Sequence, residues 1–219
     1  KITGEASPQY ITEEKYAKRI FEYNPKIKLI FILRNPAFRA FSNYHYNIQR
    51  HLQDPKVCFY DSLKTNDGYK RYISKGLYAK QLSAFLKYFS KDQILILLNE
   101  DLSSNKHNTL KKVWKFLKIS DVELHSEKKH NKSFYLNKNL FFLMPFIKKI
   151  RSSIIFDIII KSYFTKRFIK FLYFNIFLSS KRKSLSSKKA KEINKEFFKH
   201  DMILLAKTFS ENNFSGWEY

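Results

Sequence analysis

Hydrophobic positions along this chain fall into two short unbroken runs and several helical stripes. Leu29 to Leu33 are apolar without interruption, which predicts a strand over 29–34 buried on both faces of a parallel sheet. Gln93-Ile94-Leu95-Ile96-Leu97-Leu98 predicts a second strand. Between them, Leu77, Leu82, Phe85, Leu86 and Phe89 recur at helical spacing and predict a helix over 78–89. Thr12-Glu13-Glu14-Lys15 reads as a helix start, with Thr12 as N-cap and acidic residues in the first turn; Asn24-Pro25 stops that helix after Tyr23. Asn35 is a good N-cap and Pro36 suits the first helical position, so a helix follows over 36–49. A short helical piece near 59–63 interrupts the polar stretch 51–66, and a further helix covers 108–117. Ile193, Phe197, Phe198, Met202 and Leu205 mark a single helix over 187–209. This order predicts an α/β domain in three layers, with a central parallel sheet flanked by helices and a mainly helical C-terminal part. Ligands of such folds bind at the carboxyl ends of the strands.

At 219 residues the chain suits one domain, taken as 1–219. Within it, 136–180 differs in character: it is aromatic, aliphatic and basic, as in Ile154-Ile155-Phe156-Asp157-Ile158-Ile159-Ile160. Lys148, Lys149, Arg151, Asp157, Lys161, Lys166 and Arg167 interrupt it too often for a membrane span, which needs about 20 apolar residues in a row. Two readings stay open for it: helices packed over the sheet, or a basic amphipathic surface on an anionic membrane. The net charge of +23 points to anionic partners, although Lys, Asn, Ile and Phe abundance with scarce Gly and Pro is also what an AT-rich genome produces. The lone Cys58 excludes an intrachain disulfide and a cysteine-cluster metal site. His51, His107, His125, His130 and His200 show no metal-ligand spacing, and no metal is expected. His45 is placed where it could face an acceptor cleft.

The chemistry concentrates in Lys28-Leu29-Ile30-Phe31-Ile32-Leu33-Arg34-Asn35-Pro36 and the helix that follows. The strand delivers Arg34 beside a helix N-terminus, where free backbone donors favour an anion. Ser42, about two helical turns further, adds a hydroxyl. An arginine ending a strand is also commonly a plain solvated charge, so the wider pattern has to decide.

That pattern resembles the sulfotransferases that use 3′-phosphoadenosine-5′-phosphosulfate, and within them the glycan-modifying, heparan-sulfate-sulfotransferase-like branch. Arg34 and Ser42 stand at the spacing of the family's 3′-phosphate-binding motif. Gly4-Glu5-Ala6-Ser7-Pro8-Gln9-Tyr10 resembles its G-E-x-S/T-P-x-Y element. The order Gly76-Leu77-Tyr78, helix, hydrophobic strand, Glu100-Asp101-Leu102 and the helix ending Phe116-Leu117-Lys118-Ile119 is common there, as are Asp201-Met202-Ile203-Leu204-Leu205 and a late Trp217.

The resemblance implies a P-loop-like sulfotransferase fold and transfer of a sulfuryl group to a hydroxyl of a carbohydrate or glycolipid. It implies Arg34 and Ser42 as ligands of the 3′-phosphate and Glu5 as general base. Arg182 and Lys183 of Lys181-Arg182-Lys183-Ser184 would be further nucleotide contacts, with Ser184 where the family carries glycine. Asn99 stands where some relatives have tyrosine near the base, so adenine contacts do not transfer. The family's phosphosulfate-binding loop should precede Gly4, and no glycine-rich loop ending in Lys-Ser/Thr occurs in the sequence; the chain reads as a sulfotransferase without that loop. The alternatives are an inactive or binding-only relative, or a basic protein binding polyanions or a membrane surface. No nucleic-acid partner is expected. The expected location is cytoplasmic, with peripheral membrane contact.

Overall fold

The computed structural model describes residues 3–50, 52–121, 135–136, 178–179 and 184–217. Its centre is a parallel pair, β1 (Leu29–Leu33) and β2 (Ile94–Leu98), in register from Leu29 opposite Ile94 to Leu33 opposite Leu98. Parallel strands require a crossover. Here it consists of α2 (Pro36–Gln49), the short α3 (Phe59–Leu63) and α4 (Asn66–Gly68), a π-helical turn Tyr69–Ile73, and α5 (Tyr78–Leu86). Because Leu33 pairs with Leu98, the chain leaves the sheet side by side at Arg34 and at Asn99. Ahead of β1 lies α1 (Glu14–Tyr23), and after β2 come α6 (Asn99–Ser104) and α7 (Lys106–Leu117). A two-residue antiparallel pair, β3 (Tyr135–Leu136) and β4 (Leu178–Ser179), precedes α8 (Ser187–Ile193) and α9 (Lys199–Thr208). The region read as a divergent basic and aromatic segment, 136–180, lies outside the described residues apart from positions 136, 178 and 179.

One face of the sheet holds the core. Leu33, Ile94, Ile96 and Leu98 pack with Leu82, Phe85, Phe89, Phe198, Met202 and Leu205, and Phe31 meets Phe85 edge to face at 5.0 Å between centroids. On α2 the buried stripe is Ala37, Ala40, Tyr44 and Ile48, spaced i, i+3, i+7 and i+11. The other face departs from the expectation that β1 is buried on both sides. Ile32 is 57% exposed and Ile30 37%, whereas Leu97, the register neighbour of Ile32, is buried. α7 packs against β2, and among the described residues no element covers β1 on that side.

Two helix boundaries also differ from the sequence reading. Thr12 does not cap α1; its hydroxyl donates to the Gln9 carbonyl within a 3₁₀ turn, and Glu13 holds the N-cap position without a side-chain bond. The single helix expected over 187–209 is broken at Asn194–Phe198 by a π-helical segment. Wider winding there turns the fully buried Asn194 toward the start of α2.

Asn194 belongs to a buried knot that fixes the turn after β1. Its Oδ1 accepts from the Ala37 amide at 3.1 Å, and its Nδ2 donates to the Trp217 carbonyl at 2.7 Å and to Asn35 Oδ1 at 3.3 Å. Asn35 Oδ1 accepts from the Ala37 and Phe38 amides, as an N-cap should. Glu100 closes the knot: Oε1 accepts from the Asn35 amide at 3.0 Å, and Oε2 from Trp217 Nε1 at 3.4 Å. A second carboxylate, Asp201 of α9, accepts from the Ala79 and Lys80 amides at the start of α5. Burial holds Asp201 above the ordinary carboxylate value, an effect opposed by those amide bonds.

Truncating Asn194 to Ala removes three buried hydrogen bonds, although each partner keeps another bond, and should cost about 1–3 kcal/mol in urea denaturation. A loss no larger than that of a surface Asn→Ala control would show the knot to be energetically idle. Asp201 gives a prediction of definite sign. Its raised folded-state pKa means that the native state binds more protons than the unfolded state just above the ordinary carboxylate range. The stability difference, wild type minus Asp201→Asn, should therefore fall as pH rises from about 4 toward 7. A flat difference curve from urea midpoints would contradict this.

Candidate functional site

The carboxyl end of β1 presents Arg34, and two backbone bonds fix its position. Its own carbonyl accepts from the Tyr78 hydroxyl at 2.9 Å, and the next amide, that of Asn35, is held by Glu100. Burial pushes Tyr78 up to about 12, so its hydroxyl stays protonated and remains a donor; the nearby Arg39 and Arg34 charges pull the other way. The backbone of residue 34 is thus clamped. Its half-buried guanidinium makes no hydrogen bond or ion pair with the described residues.

Ser42 lies on α2 away from the buried stripe and is exposed, its hydroxyl likewise unengaged among the described residues. One cation with five donors and one hydroxyl, both available, are therefore presented on the strand end and the helix that follows it. An anion fits that donor set, and a phosphate can take two parallel bonds from a guanidinium, one on each of two oxygens.

The helix N-terminus does not contribute as the sequence suggested. The Ala37 amide donates to Asn35 Oδ1 and Asn194 Oδ1, the Phe38 amide to Asn35 Oδ1, and the Arg39 amide to the Asn35 carbonyl. A well-capped helix has no spare donors in that first turn, so the grip on an anion falls to side chains.

Glu5 sits in the exposed N-terminal segment. Its Oε1 accepts from the Tyr10 hydroxyl, and this bond, with the carboxylate charge, raises the Tyr10 pKa. The two residues belong to one sequence element, which folds back on itself. Glu5's hydrogen-bond partner is Tyr10, and no described contact joins it to Arg34 or Ser42. Arg182 and Lys183 lie outside the described residues. His45, half-buried, packs its ring edge to face against Phe41 at 4.5 Å and Tyr44 at 5.2 Å, which is an aromatic packing role.

Sequence reading missed Arg39. It lies three residues before Ser42, on the flank of α2 that faces the crossover. One of its terminal nitrogens donates to the Tyr72 carbonyl, while one turn on Asn43 Nδ2 donates to the Arg71 carbonyl at 3.0 Å. Together they staple the π-helical turn to α2. Gly76 makes room for this: a Cβ there would stand 2.8 Å from a Phe198 ring carbon and 3.3 Å from Arg39 Nη2. The i, i+3 spacing of Arg39 and Ser42 was visible in the sequence, but the carbonyl it serves lies 33 residues away.

Comparison with known proteins gives the family. Residues 13–173 match the sulfotransferase domain family. Mouse heparan sulfate glucosamine 3-O-sulfotransferase 5 is 32% identical over 132 residues, covering 54% of this chain and 36% of that protein. The mouse 3-O-sulfotransferase 6 is 30% identical over 156 residues, covering 70% of this chain and 43% of that protein. The chain thus spans well under half the length of these curated relatives. A crystal structure of a sulfotransferase from Alicyclobacillus acidocaldarius shares the fold, with a TM-score of 0.61 at 20% identity over 98% of this chain and 66% of that one. With the family match running through β1, the Arg34 turn and β2, the chain belongs to the sulfotransferase family.

Proposed function

We propose that this domain binds 3′-phosphoadenosine-5′-phosphosulfate, with the 3′-phosphate on Arg34 and Ser42, and transfers its sulfuryl group to a hydroxyl of a carbohydrate or glycolipid. The observation that carries this reading is a pair of side chains without a partner among the described residues: the Arg34 guanidinium on a clamped backbone at the end of β1, and the Ser42 hydroxyl on the helix that follows. The names of the curated relatives support a glycan as acceptor class.

In this reading the donor is anchored at its 3′-phosphate, away from the sulfuryl group, so binding energy gathered at Arg34 and Ser42 positions the reacting end. Transfer is an in-line displacement. The acceptor oxygen forms a bond to sulfur as the bond from sulfur to the bridging phosphate oxygen breaks, and 3′,5′-adenosine diphosphate leaves. The acceptor proton goes to Glu5, whose carboxylate must exchange the Tyr10 hydroxyl for the acceptor hydroxyl to act as general base. Arg182 and Lys183 are assigned to the nucleotide by the family pattern alone. A cytoplasmic location with peripheral membrane contact is part of the same proposal, and the net charge of +23 supports the membrane contact alone.

Arg34→Ala should weaken 3′,5′-adenosine diphosphate binding by about 10- to 100-fold, the range for a hydrogen bond to a charged group. Its melting temperature should stay near that of the wild type, because the guanidinium holds no described partner. Ser42→Ala should lose less, on the order of 3- to 10-fold. Calorimetric titration with 5′-AMP as control checks both; equal binding of the two nucleotides by the wild type would overturn the 3′-phosphate site. For Glu5→Gln, sulfuryl transfer should fall by about 10²- to 10⁴-fold while nucleotide affinity is kept. An active Glu5→Gln enzyme would remove Glu5 from the base role.

A further inference from the structure

The paired residues of β1 and β2 end where Leu33 faces Leu98, so the peptide joining Arg34 to Asn35 is the first one beyond them. Its polar groups still need partners. Both are taken by side chains. The Arg34 carbonyl accepts from the Tyr78 hydroxyl at 2.9 Å, and the Asn35 amide donates to Glu100 Oε1 at 3.0 Å. A trans peptide is planar, with its C=O and N–H pointing opposite ways. The two bonds therefore pin one rigid plate from opposite sides. Rotation of that plate is the motion that would swing Arg34 away from the strand end, and both bonds oppose it.

Tyr78 can serve as half of this clamp because it is itself held. Its ring is 4% exposed and lies 6.0 Å from the Trp217 ring, centroid to centroid. The Trp217 indole also reaches the other half of the clamp, donating to Glu100 Oε2 at 3.4 Å. Leu77, at the N-cap of α5, has no side-chain group to cap that helix. Asp201 caps it from α9 instead, accepting from the Ala79 amide at 3.0 Å and the Lys80 amide at 3.1 Å. The carboxylate fixes the first turn of α5, and that turn fixes the hydroxyl. A buried tyrosine hydroxyl needs some acceptor. Here the acceptor belongs to the residue that carries the proposed phosphate grip.

We propose that Tyr78 is a positioning residue for the 3′-phosphate site, acting through the Arg34 carbonyl to hold the point from which the guanidinium departs. This deepens the donor reading above and rests on it. The Tyr78 hydroxyl is spent on backbone, so its effect is confined to the affinity that Arg34 supplies. Bidentate binding is sensitive to such placement, because both donors of the fork must meet phosphate oxygens at once. Without the hydroxyl the peptide is held at Glu100 alone and can tilt.

Tyr78→Phe keeps the ring in its packing and removes only the hydroxyl. The measurements are titrations of wild type, Tyr78→Phe, Arg34→Ala and the double variant with 3′,5′-adenosine diphosphate and with 5′-AMP. All are run well below each protein's melting temperature, which thermal unfolding supplies. Tyr78→Phe should lose about 3- to 10-fold in bisphosphate affinity and keep its 5′-AMP affinity within about twofold. It should melt about 2–4 °C lower, since a buried carbonyl loses its donor. In the Arg34→Ala background the same substitution should change bisphosphate affinity by less than about twofold, because the group it positions is gone.

A Tyr78 that serves packing alone gives a different pattern. Its loss would lower both nucleotides alike, or cost as much with Arg34 absent as with Arg34 present. Either result would overturn the inference, as would wild-type bisphosphate affinity in Tyr78→Phe. If Tyr78→Phe does not fold, Tyr78→p-aminophenylalanine decides, since it keeps a donor at that point. A folded protein of that kind without the bisphosphate preference refutes the inference, and one that keeps the preference supports it. A wild type with no preference between the two nucleotides would instead sink the donor reading, and this inference with it.

Discussion

Everything at the candidate site depends on one buried junction, where Asn35, Asn194, Glu100 and the Trp217 carbonyl meet at the end of β1. Four segments far apart in sequence converge there: the β1 turn, the start of α6, the π-helical break between α8 and α9, and the 3₁₀ turn Ser215–Trp217. Each contributes polar groups that would be expensive to bury alone, and each finds partners in the others. Such a junction is an all-or-none device. It fixes the direction in which the chain leaves the strand, and with it the point from which Arg34 projects.

The same junction decides what kind of anion site is possible. Helix N-termini commonly hold anions through their free amides. Here the cap is so complete that the first-turn amides of α2 are consumed by Asn35 and Asn194. Rigidity of the turn and availability of its amides are competing uses of the same donors, and this chain spends them on rigidity. In the proposed site, the grip on an anion therefore falls to side chains.

The local devices were legible in the sequence. Asn35-Pro36 announced both a cap and a first turn, since each acts within three residues of itself, and the helical stripe of α5 emerged with Leu82, Phe85 and Phe89 buried. The α/β order was legible for the same reason, and the sulfotransferase resemblance was carried by short motifs. What failed depended on partners distant along the chain. Asn194 lies 157 residues from the amide it serves, and no local pattern distinguishes a π-helical break from a continuing helix. The apolar run of β1 suggested burial on both faces, yet hydrophobicity states only that a residue can be buried, and Ile32 is not. Thr12 had the composition of a cap but found a nearer acceptor in Gln9.

A clamped backbone carrying an unclamped side chain has an energetic logic of its own. If the Arg34 turn were mobile, a ligand would have to order backbone as well as side chain, at about 1–2 kcal/mol for each backbone residue fixed. With Tyr78 and Glu100 holding residues 34 and 35, only the guanidinium remains to be ordered, at up to about 2 kcal/mol. Charge-assisted hydrogen bonds to phosphate return about 1.5–3 kcal/mol each, so a two-point contact exceeds that cost where a mobile turn would cancel it.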